Sequence, residues 1–473
     1  NTGKFGSYTS YRRQQAEGWQ LNPYEENSKT HELEETGKVA STGFYANTVN
    51  QKFTFDATDK LSFYARGGYY DNKTRRPYEA YDYNILHETF NYGIGAQYMI
   101  NKGNYITADC YADHFSSSYC FFKDNKTYNG KAGEEQVRKR TRNHNLSIKG
   151  IFKLGNRHKL SVGTEYIVDV LKSQTDNIAK EDAYTLALFA QDEIKLLRNL
   201  QALIGVRYIY HENFKNHATP NVALMYKPGK FNFRASYAAG FRTPTLSELY
   251  ATDIAKKNDR LTIGNLDLKP EKNNYFSLSA EYVHERFSVS VNAFYNNIRD
   301  MIDYNTIATG DKAMEQYGHK EVRQRDNIAE AKVHGINVSA NAYLGAGFNL
   351  SGGYTHLNTQ DVELEQPIDK SIKNAYNINA QWAHSWKIYR LNINLNGRFN
   401  SKRFSKSYGY APEYQLWDLN TRHSFNLKSV IIEPGCGMEN LFDYMDDRPY
   451  NSNYATLTPG RSFYISLSLK FKS

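Results

Sequence analysis

The segment RSFYISLSLKFKS, residues 461–473, decides the fold. Apolar residues stand at every odd position from Phe463 to Phe471, while the even positions between them carry one tyrosine, two serines and one lysine. Successive side chains of a strand point to opposite faces, so this alternation predicts a strand with one apolar and one mostly polar face. The same alternation returns in YFSLSAEYV (275–283), RFSVSVNAFY (286–295) and LNINLNGRF (391–399).

Along the whole chain, this pattern predicts about 20 strands of roughly 10 residues, the length that crosses a bilayer when a strand is tilted. Their connections alternate strictly between short ones, such as ATDK (57–60) and KPGK (227–230), and long ones, such as 240–272 and 298–326. Short periplasmic turns and long extracellular loops are typical of an outer-membrane barrel. We therefore predict an all-β fold, a transmembrane antiparallel β-barrel. The predicted strands are 5–13, 44–56, 58–70, 90–101, 104–116, 143–155, 157–170, 183–195, 197–211, 217–227, 230–239, 273–283, 286–297, 327–343, 346–356, 373–384, 387–400, 413–424, 427–439 and 460–471.

The composition supports this class of fold. Aromatic residues make up 14% of the chain, although hydrophobic residues reach only 40%, and a soluble domain of this size would carry more Leu, Ile and Val. No apolar run approaches the roughly 18 to 20 residues of a membrane-spanning helix. No linker rich in Gly, Ser or Pro divides the chain, so residues 1–473 are predicted to form one barrel domain. A large soluble propeller or solenoid is the alternative, but we find no fixed repeat period.

The three cysteines form no metal-binding or disulfide pattern. Cys110 and Cys120 could pair if the chain turned between them. Unpaired thiols packed against their neighbours are the interpretation that we favour over this pairing.

The net charge of +9 suggests acidic partners such as phosphate-bearing lipid or nucleic acid. RKRTR (138–142) could bind lipid phosphate at the outer leaflet, and an ordinary charged loop end is the alternative. The aromatic residues fall at period two, which fits the aromatic girdles of a membrane barrel better than base-stacking platforms. We therefore predict outer-membrane lipid as a partner and no nucleic acid.

Two segments around one long loop carry a specific signal. Pro244 in GFRTPTLSELY (240–250) and Pro270 in GNLDLKPE (264–271) fix φ and stop the sheet ladder where each strand leaves it. The segments resemble TonB-dependent outer-membrane receptors, whose barrels carry Phe/Tyr-Arg/Lys-Ala/Thr-Pro followed by Asn-Pro-Asn/Asp-Leu-Lys-Pro-Glu. FRTP matches the first motif, and NLDLKPE matches the second with Leu266 in place of the usual proline. The resemblance extends to HGIN (334–337), LWDLN (416–420) and MENLFDYMDDRPY (438–450).

The resemblance implies a bacterial outer-membrane protein that imports a scarce, bulky nutrient such as cobalamin, a ferric siderophore or haem. The motifs look closest to cobalamin and haem or ferric-chelate receptors. Haem receptors typically place a histidine between the two loop motifs, and none lies between Pro244 and Asn265 here. The family also implies 22 strands, a plug domain and a segment that engages TonB, so the plug, that segment and the first two strands are expected upstream. Whether a surface lipoprotein caps the barrel stays open.

The resemblance also places the ligand near the extracellular mouth. We predict ligand-binding roles there for Arg242, Tyr250, Asn265, Asp267 and Tyr304. The alternative for the motif residues is a purely structural role, in which they end the strands at this loop. The chain contains no Gly-x-Ser-x-Gly, His-Glu-x-x-His or Gly-rich phosphate loop, so we predict no enzyme activity, no catalytic residue, no cofactor and no metal site. A passive outer-membrane porin is the alternative function.

Overall fold

The structure is a computed structural model. It describes residues 3–471 apart from 21–23, 28–29, 37–38, 40, 79–80, 256–258, 406–408, 447–457 and 459. The strands within these ranges are β1 (Phe5–Ala16), β2 (Tyr24–Glu26), β3 (Leu33–Glu35), β4 (Gly43–Asp56), β5 (Leu61–Arg75), β6 (Tyr83–Asn101), β7 (Asn104–Phe121), β8 (Glu135–Leu154), β9 (His158–Ser173), β10 (Ile178–Leu197), β11 (Leu200–His211), β12 (Lys215–Tyr226), β13 (Phe231–Arg242), β14 (Thr252–Ala255), β15 (Arg260–Ile263), β16 (Glu271–Val283), β17 (Phe287–Thr309), β18 (Glu321–Gly345), β19 (Phe348–Asp361), β20 (Asn374–Trp386), β21 (Tyr389–Asn400), β22 (Arg403–Ser405), β23 (Gly409–Ala411), β24 (Tyr414–Asn426), β25 (Val430–Glu439) and β26 (Ser462–Phe471). The helices are α1 (Leu246–Tyr250) and α2 (Gly310–Tyr317).

Twenty long strands form one antiparallel meander in the described part of the chain: β1, β4–β13, β16–β21 and β24–β26. Each pairs with the next strand in this order. The remaining strands are short and lie in the loops, where β2 pairs with β3 and β22 with β23. The prediction of about 20 antiparallel strands is therefore confirmed. The two additional upstream strands stay a prediction.

The two ends of the sheet differ in how the strands are connected. At one end the turns are only two to four residues long, for example 57–60 between β4 and β5 and 346–347 between β18 and β19. At the other end lie the long loops, but β9 joins β10 through 174–177, and β11 joins β12 through 212–214. The predicted strict alternation of loop length is wrong at these two places. A hairpin can close tightly at either rim, because nothing in the barrel requires a long loop on the outside.

Several strands run well past the predicted boundaries. β17 and β18 have 23 and 25 residues, and their ladder continues to Thr309 opposite Glu321, whereas the sequence predicted 286–297 and 327–343. Helix α2 closes this hairpin at its tip, and Tyr304, predicted in a loop, lies on β17. Beyond the bilayer neither face of a strand has to be apolar, so the alternation fades while backbone pairing continues.

The sheet has one apolar and one polar face. Ile94, Leu146, Tyr166 and Leu186 lie level with one another on β6, β8, β9 and β10, and all four are exposed. The opposite face carries charged pairs such as Arg207 with Glu165, whose nearest atoms are 2.5 Å apart. Neither helix of the described chain is long and apolar enough to cross a bilayer. An exposed apolar face this large matches a barrel wall that faces lipid.

The cysteines are unpaired in the structure. Cys110 and Cys120 lie ten residues apart on the single strand β7, which separates them by about 33 Å at roughly 3.3 Å per residue. A disulfide requires Cα atoms within about 7 Å, so these two residues cannot pair, and the favoured prediction of unpaired thiols is confirmed.

Candidate functional site

The loop between β13 and β16 is folded and begins with a capped helix. The side-chain oxygen of Thr245 accepts a hydrogen bond from the Glu248 backbone N–H at 3.2 Å, and the Glu248 carboxylate accepts one from the Thr245 N–H at 2.8 Å. This reciprocal arrangement is a capping box, which satisfies two backbone donors that the first turn of α1 leaves open. The helix therefore starts at a fixed place, immediately after Pro244.

Arg242 joins the two family motifs through two carboxylates. Its Nε and Nη2 donate to Glu271 at 2.9 and 2.6 Å, and its Nη1 and Nη2 donate to Glu248 at 2.9 and 3.2 Å. The carboxylate side chains are only 13% and 16% exposed, and Glu271 also accepts from the Ile302 N–H at 2.9 Å. We call Arg242, Glu248 and Glu271 the mouth clip. It fastens the start of the loop to its end, and it connects both to β17.

The clip gives the loop a defined dependence on pH. Burial raises the pKa of the Glu248 carboxyl, but hydrogen bonds from Arg242 and Thr245 outweigh it and leave this pKa below its ordinary value of 4.5. A carboxyl with a lowered folded pKa stabilises the folded loop at pH values above its unfolded pKa. This contribution is lost as pH falls through the lowered value.

We therefore expect the amides of α1 to stay protected from hydrogen exchange at neutral pH and to lose protection as the pH falls below the ordinary carboxyl value of 4.5. The measurement is exchange by mass spectrometry, corrected for the intrinsic pH dependence of the exchange rate. Glu248→Gln should reduce the pH response, whereas Glu315→Gln on the exposed face of α2 should not change it. An identical acid response in the native protein and Glu248→Gln would contradict the role of this carboxyl.

Two asparagines connect the end of the loop to β18. The Asn265 amide donates to the Arg325 carbonyl at 3.0 Å, and its oxygen accepts from the Asp267 N–H at 2.9 Å. Asn327 accepts from the Lys269 N–H at 2.7 Å and donates to the Lys269 carbonyl at 2.9 Å. The backbone N–H and carbonyl of Lys269 thus both bond to the side chain of Asn327. These two bonds hold the second motif in a single position against β18.

Apolar packing completes the loop. Leu249, Leu268 and Ile302 are buried against one another, and Tyr250 packs beside them with Phe214. These residues come from α1, the second motif, β17 and the turn after β11. Four separate segments therefore share one small core above the barrel wall.

A polar cavity of about 280 Å³ opens beside this core. The residues that line it include Arg260, Arg323, Arg325, Tyr304, Asp176, Glu248 and Asp253. Strand pairing places the first four on one face, since Tyr304 is opposite Arg325 and Thr262 is opposite Arg323, while Arg260 lies two residues before Thr262 on β15. We call this space the arginine cavity.

Each carboxylate in the arginine cavity either already has a hydrogen-bond or ion-pair partner or has a raised pKa. Asp176 accepts from the Ser247 hydroxyl at 2.9 Å and lies 3.4 Å from the Lys139 ammonium, and Glu248 belongs to the mouth clip. Burial and the charge of Asp176 raise the pKa of Asp253, although the nearby charge of Arg260 opposes them. Two of these three acids therefore already have partners within the loop assembly.

The arginines, by contrast, keep open donors. The Arg325 guanidinium lies 3.5 Å from the centre of the Tyr304 ring and donates to its hydroxyl at 2.6 Å. The Nε of Arg260 is buried without a hydrogen-bond partner within the described ranges. No carboxylate of the described residues forms an ion pair with Arg260 or Arg325. A cavity with unpaired guanidinium donors is suited to an anion with oxygen acceptors.

The structure brings the five predicted binding residues into one loop assembly with different surroundings. Tyr304 lines the arginine cavity, whereas Arg242 lies in the mouth clip, Tyr250 in the small core, and Asn265 against the backbone of β18. Asp267 is exposed. Their contact with a ligand stays a prediction.

The sequence prediction missed Glu248 and the three arginines of the cavity. TLSE (245–248) is a readable capping-box signature, and it would have indicated a fixed Glu248. Arg323 and Arg325 stand two residues apart in VRQR (322–325), a spacing that puts both on one face of a strand. Arg260 had no comparable signal, because its place depends on the pairing of β15 with β18. Among the described residues, no group of three or more His, Cys, Asp or Glu side chains could hold a metal ion.

Comparison with known proteins gives a consistent match. The family described as "TonB dependent receptor-like, beta-barrel" matches residues 2–440. A crystal structure of the ferric enterobactin receptor PfeA from Pseudomonas aeruginosa superposes with a TM-score of 0.81 at 15% identity, covering 99% of this chain and 76% of that one. The siderophore receptor PirA from Acinetobacter baumannii gives 0.77 at 14% identity, covering 99% and 76%. The FrpB iron transporter from Neisseria meningitidis gives 0.74 at 14% identity, covering 99% and 77%.

Proposed function

Since the chain belongs to the TonB-dependent receptor β-barrel family, we propose that it imports an anionic ferric siderophore across the bacterial outer membrane with energy delivered through TonB. The outer-membrane location follows from the family. The observation that carries the choice of ligand is the arginine cavity, where no carboxylate of the described residues lies within ion-pair distance of Arg260 or Arg325. The plug and the TonB-contacting segment upstream belong to the same proposal.

The chemistry of the cavity favours an iron chelate with anionic oxygen groups. Ferric complexes of catecholate or carboxylate chelators carry net negative charge at neutral pH, and guanidinium groups bind such oxygens through paired hydrogen bonds. Tyr304 adds an aromatic face beside Arg325. At about 280 Å³ the cavity holds one arm of a chelate, so the rest of the ligand would lie in the open mouth. PfeA, one of the structural neighbours, is known in complex with enterobactin.

The other candidate ligands fit this cavity less well. Cyanocobalamin carries no net charge, so unpaired arginines would gain little from it. Haem carries two propionates, but the lining of the arginine cavity includes no histidine to bind the iron. A passive porin needs no fastened loop at its mouth, whereas here the mouth clip and two asparagines hold the loop in place.

The test is a titration of the full-length, plug-containing receptor in detergent with ferric enterobactin, cyanocobalamin and haemin. Arg260→Gln and Arg325→Gln should each weaken binding of the ferric catecholate by about 10- to 100-fold, because each loses a charge-assisted contact. Arg286→Gln, at the opposite rim, is the matched control and should leave affinity unchanged. Tight binding of cyanocobalamin or haemin, with no effect of either cavity variant, would overturn the choice of ligand.

A further inference from the structure

A second group of cations lies on the outward face of the sheet. The polar side of β8 and β9 points inward, as the Asn143 amide shows by donating to Asp169 at 2.7 Å. Positions of the opposite parity therefore point outward, as the exposed pair of Leu146 and Tyr166 does. Near the long-loop rim, the outward positions of both strands carry cationic side chains. They are Arg140 and Arg142 on β8 and Lys172 on β9, which we call the basic rim patch. The neighbouring Arg138 stands at a β-bulge, and its guanidinium lies over the rings of Tyr119 and Tyr128.

The patch starts where the apolar wall ends. Outward positions of β9 run from Leu160 to Val170 with no charged residue, and Lys172 follows. Ten residues at roughly 3.3 Å each span about 33 Å, which gives a height of about 25 Å at a tilt near 40°. This is the height of the apolar band of an outer-membrane barrel. The basic rim patch therefore lies at the level of the lipid headgroups on the extracellular side.

The arrangement of charges is unfavourable without a counterion. Arg140 lies directly opposite Lys172 in the β8–β9 ladder, and both side chains are exposed. Like charges at directly opposed positions destabilise a sheet. Within the described ranges neither residue has an acidic partner, and the outward acid on β10, Asp182, is bound to Lys180 at 3.1 Å. An anion between Arg140 and Lys172 would turn this repulsion into attraction.

The surrounding cleft is preformed. It has a volume of about 590 Å³ and is lined by residues that include Arg138, Arg140, Lys172 and Tyr128. Arg138 donates to the Gln174 side chain at 2.8 Å and lies 4.9 Å from the centre of the Tyr128 ring. The one acid in the lining, Glu134, accepts from the Lys131 N–H and the Gln136 amide at 2.9 and 3.0 Å. Arg138 is thus held in place at the side of the cleft, and the one acid of the lining already has hydrogen-bond partners.

We propose that the basic rim patch binds the phosphate groups of an anionic glycolipid in the outer leaflet of the membrane. The lipid is the fitting source of phosphate because the patch faces outward at headgroup height, away from the arginine cavity. A phosphate oxygen can bridge Arg140 and Lys172, and the acyl chains would continue down the apolar positions below them. This contact would anchor the barrel at a fixed depth and orientation in the membrane.

The experiment measures lipid retention by the full-length receptor with native mass spectrometry. The probes are bisphosphorylated lipid A, the same lipid after removal of its phosphates, and inorganic phosphate alone. Removing one cation near the lipid surface weakens binding about fivefold, so Arg140→Gln with Lys172→Gln should weaken lipid A binding about 25-fold. Lys126→Gln with Lys131→Gln removes two charges from the neighbouring loop and serves as the matched control.

Heat-modifiable mobility on gels verifies that each variant has folded. The proposal predicts selective loss of bisphosphorylated lipid A in the patch variant and retention in the control. Equal retention of the phosphorylated and phosphate-free lipids, or equal loss in both double variants, would overturn it. Binding of inorganic phosphate without lipid selectivity would also overturn it, because the patch would then be a general anion site.

Discussion

Replacing Arg242 with alanine is expected to release the loop between β13 and β16 and to weaken ligand binding by up to about 30-fold. The substitution removes four hydrogen bonds and leaves Glu248 and Glu271, both mostly buried, without their shared cation. Breaking a buried pair by removing one partner costs several kcal/mol, and the 42% exposure of Arg242 reduces this to roughly 2 kcal/mol. The loop should therefore sample open states that no longer shape the arginine cavity.

The measurement combines hydrogen exchange over residues 246–263 with the titration of ferric enterobactin. Arg286→Ala at the opposite rim is the control and should change neither result. Adding Glu248→Gln and Glu271→Gln to Arg242→Ala removes the repulsion but does not rebuild the clip, so exchange should slow only partly. Full protection of the loop in Arg242→Ala would mean that the small core around Leu249 holds the loop without the clip.

Gly264→Ala is expected to destabilise the folded loop by a similar amount, through steric clashes alone. A Cβ at this position would lie 2.5 Å from the Leu249 carbonyl oxygen, 2.6 Å from its carbon and 2.8 Å from the Tyr250 nitrogen. All three are backbone atoms at the end of α1, so no flexible side chain can move away. The Gly264 N–H also donates to the Ala251 carbonyl at 2.7 Å, which holds the two segments at close approach.

We expect Gly264→Ala to destabilise the folded loop by on the order of 3 kcal/mol, as overpacking does in a tight site. Exchange over α1 and binding of the ferric siderophore report the loss. Gly67→Ala is the matched control, because a Cβ there would meet only the Asn91 carbonyl oxygen at 3.8 Å. Normal protection of α1 from hydrogen exchange in Gly264→Ala would contradict this prediction. It would show that the end of α1 and the chain at residue 264 can separate without loosening the loop.

The barrel wall was predictable because the bilayer imposes its pattern on every crossing strand. Segments such as 275–283 and 462–471 alternate between apolar and polar residues, and both lie in strands of the structure. The extracellular ends were not predictable in the same way, since β17 and β18 continue to Thr309 and from Glu321 with no apolar face to mark them. Tyr304 was therefore assigned to a loop although it lies on a strand.

The candidate site was predictable in place but not in detail. The motifs around Pro244 and Pro270 indicated the loop that carries the mouth clip and lines the arginine cavity, yet the partners of Arg242 became visible only when Glu248 and Glu271 were brought together in space. The arginine cavity depends on the parallel pairing of β15 with β18. Residues 61 positions apart, such as Thr262 and Arg323, meet in that pairing, and no local periodicity in the sequence predicts such a contact.

The most direct test of the central claim is uptake of radioactive iron presented as ferric enterobactin by cells that express the full-length receptor. We predict saturable uptake that requires TonB and falls strongly in the variant that combines Arg260→Gln with Arg325→Gln. Arg286→Gln should take up iron normally. Uptake that continues without TonB, or that is unchanged in the double cavity variant, would contradict the account of a TonB-dependent siderophore receptor that binds its ligand in the arginine cavity.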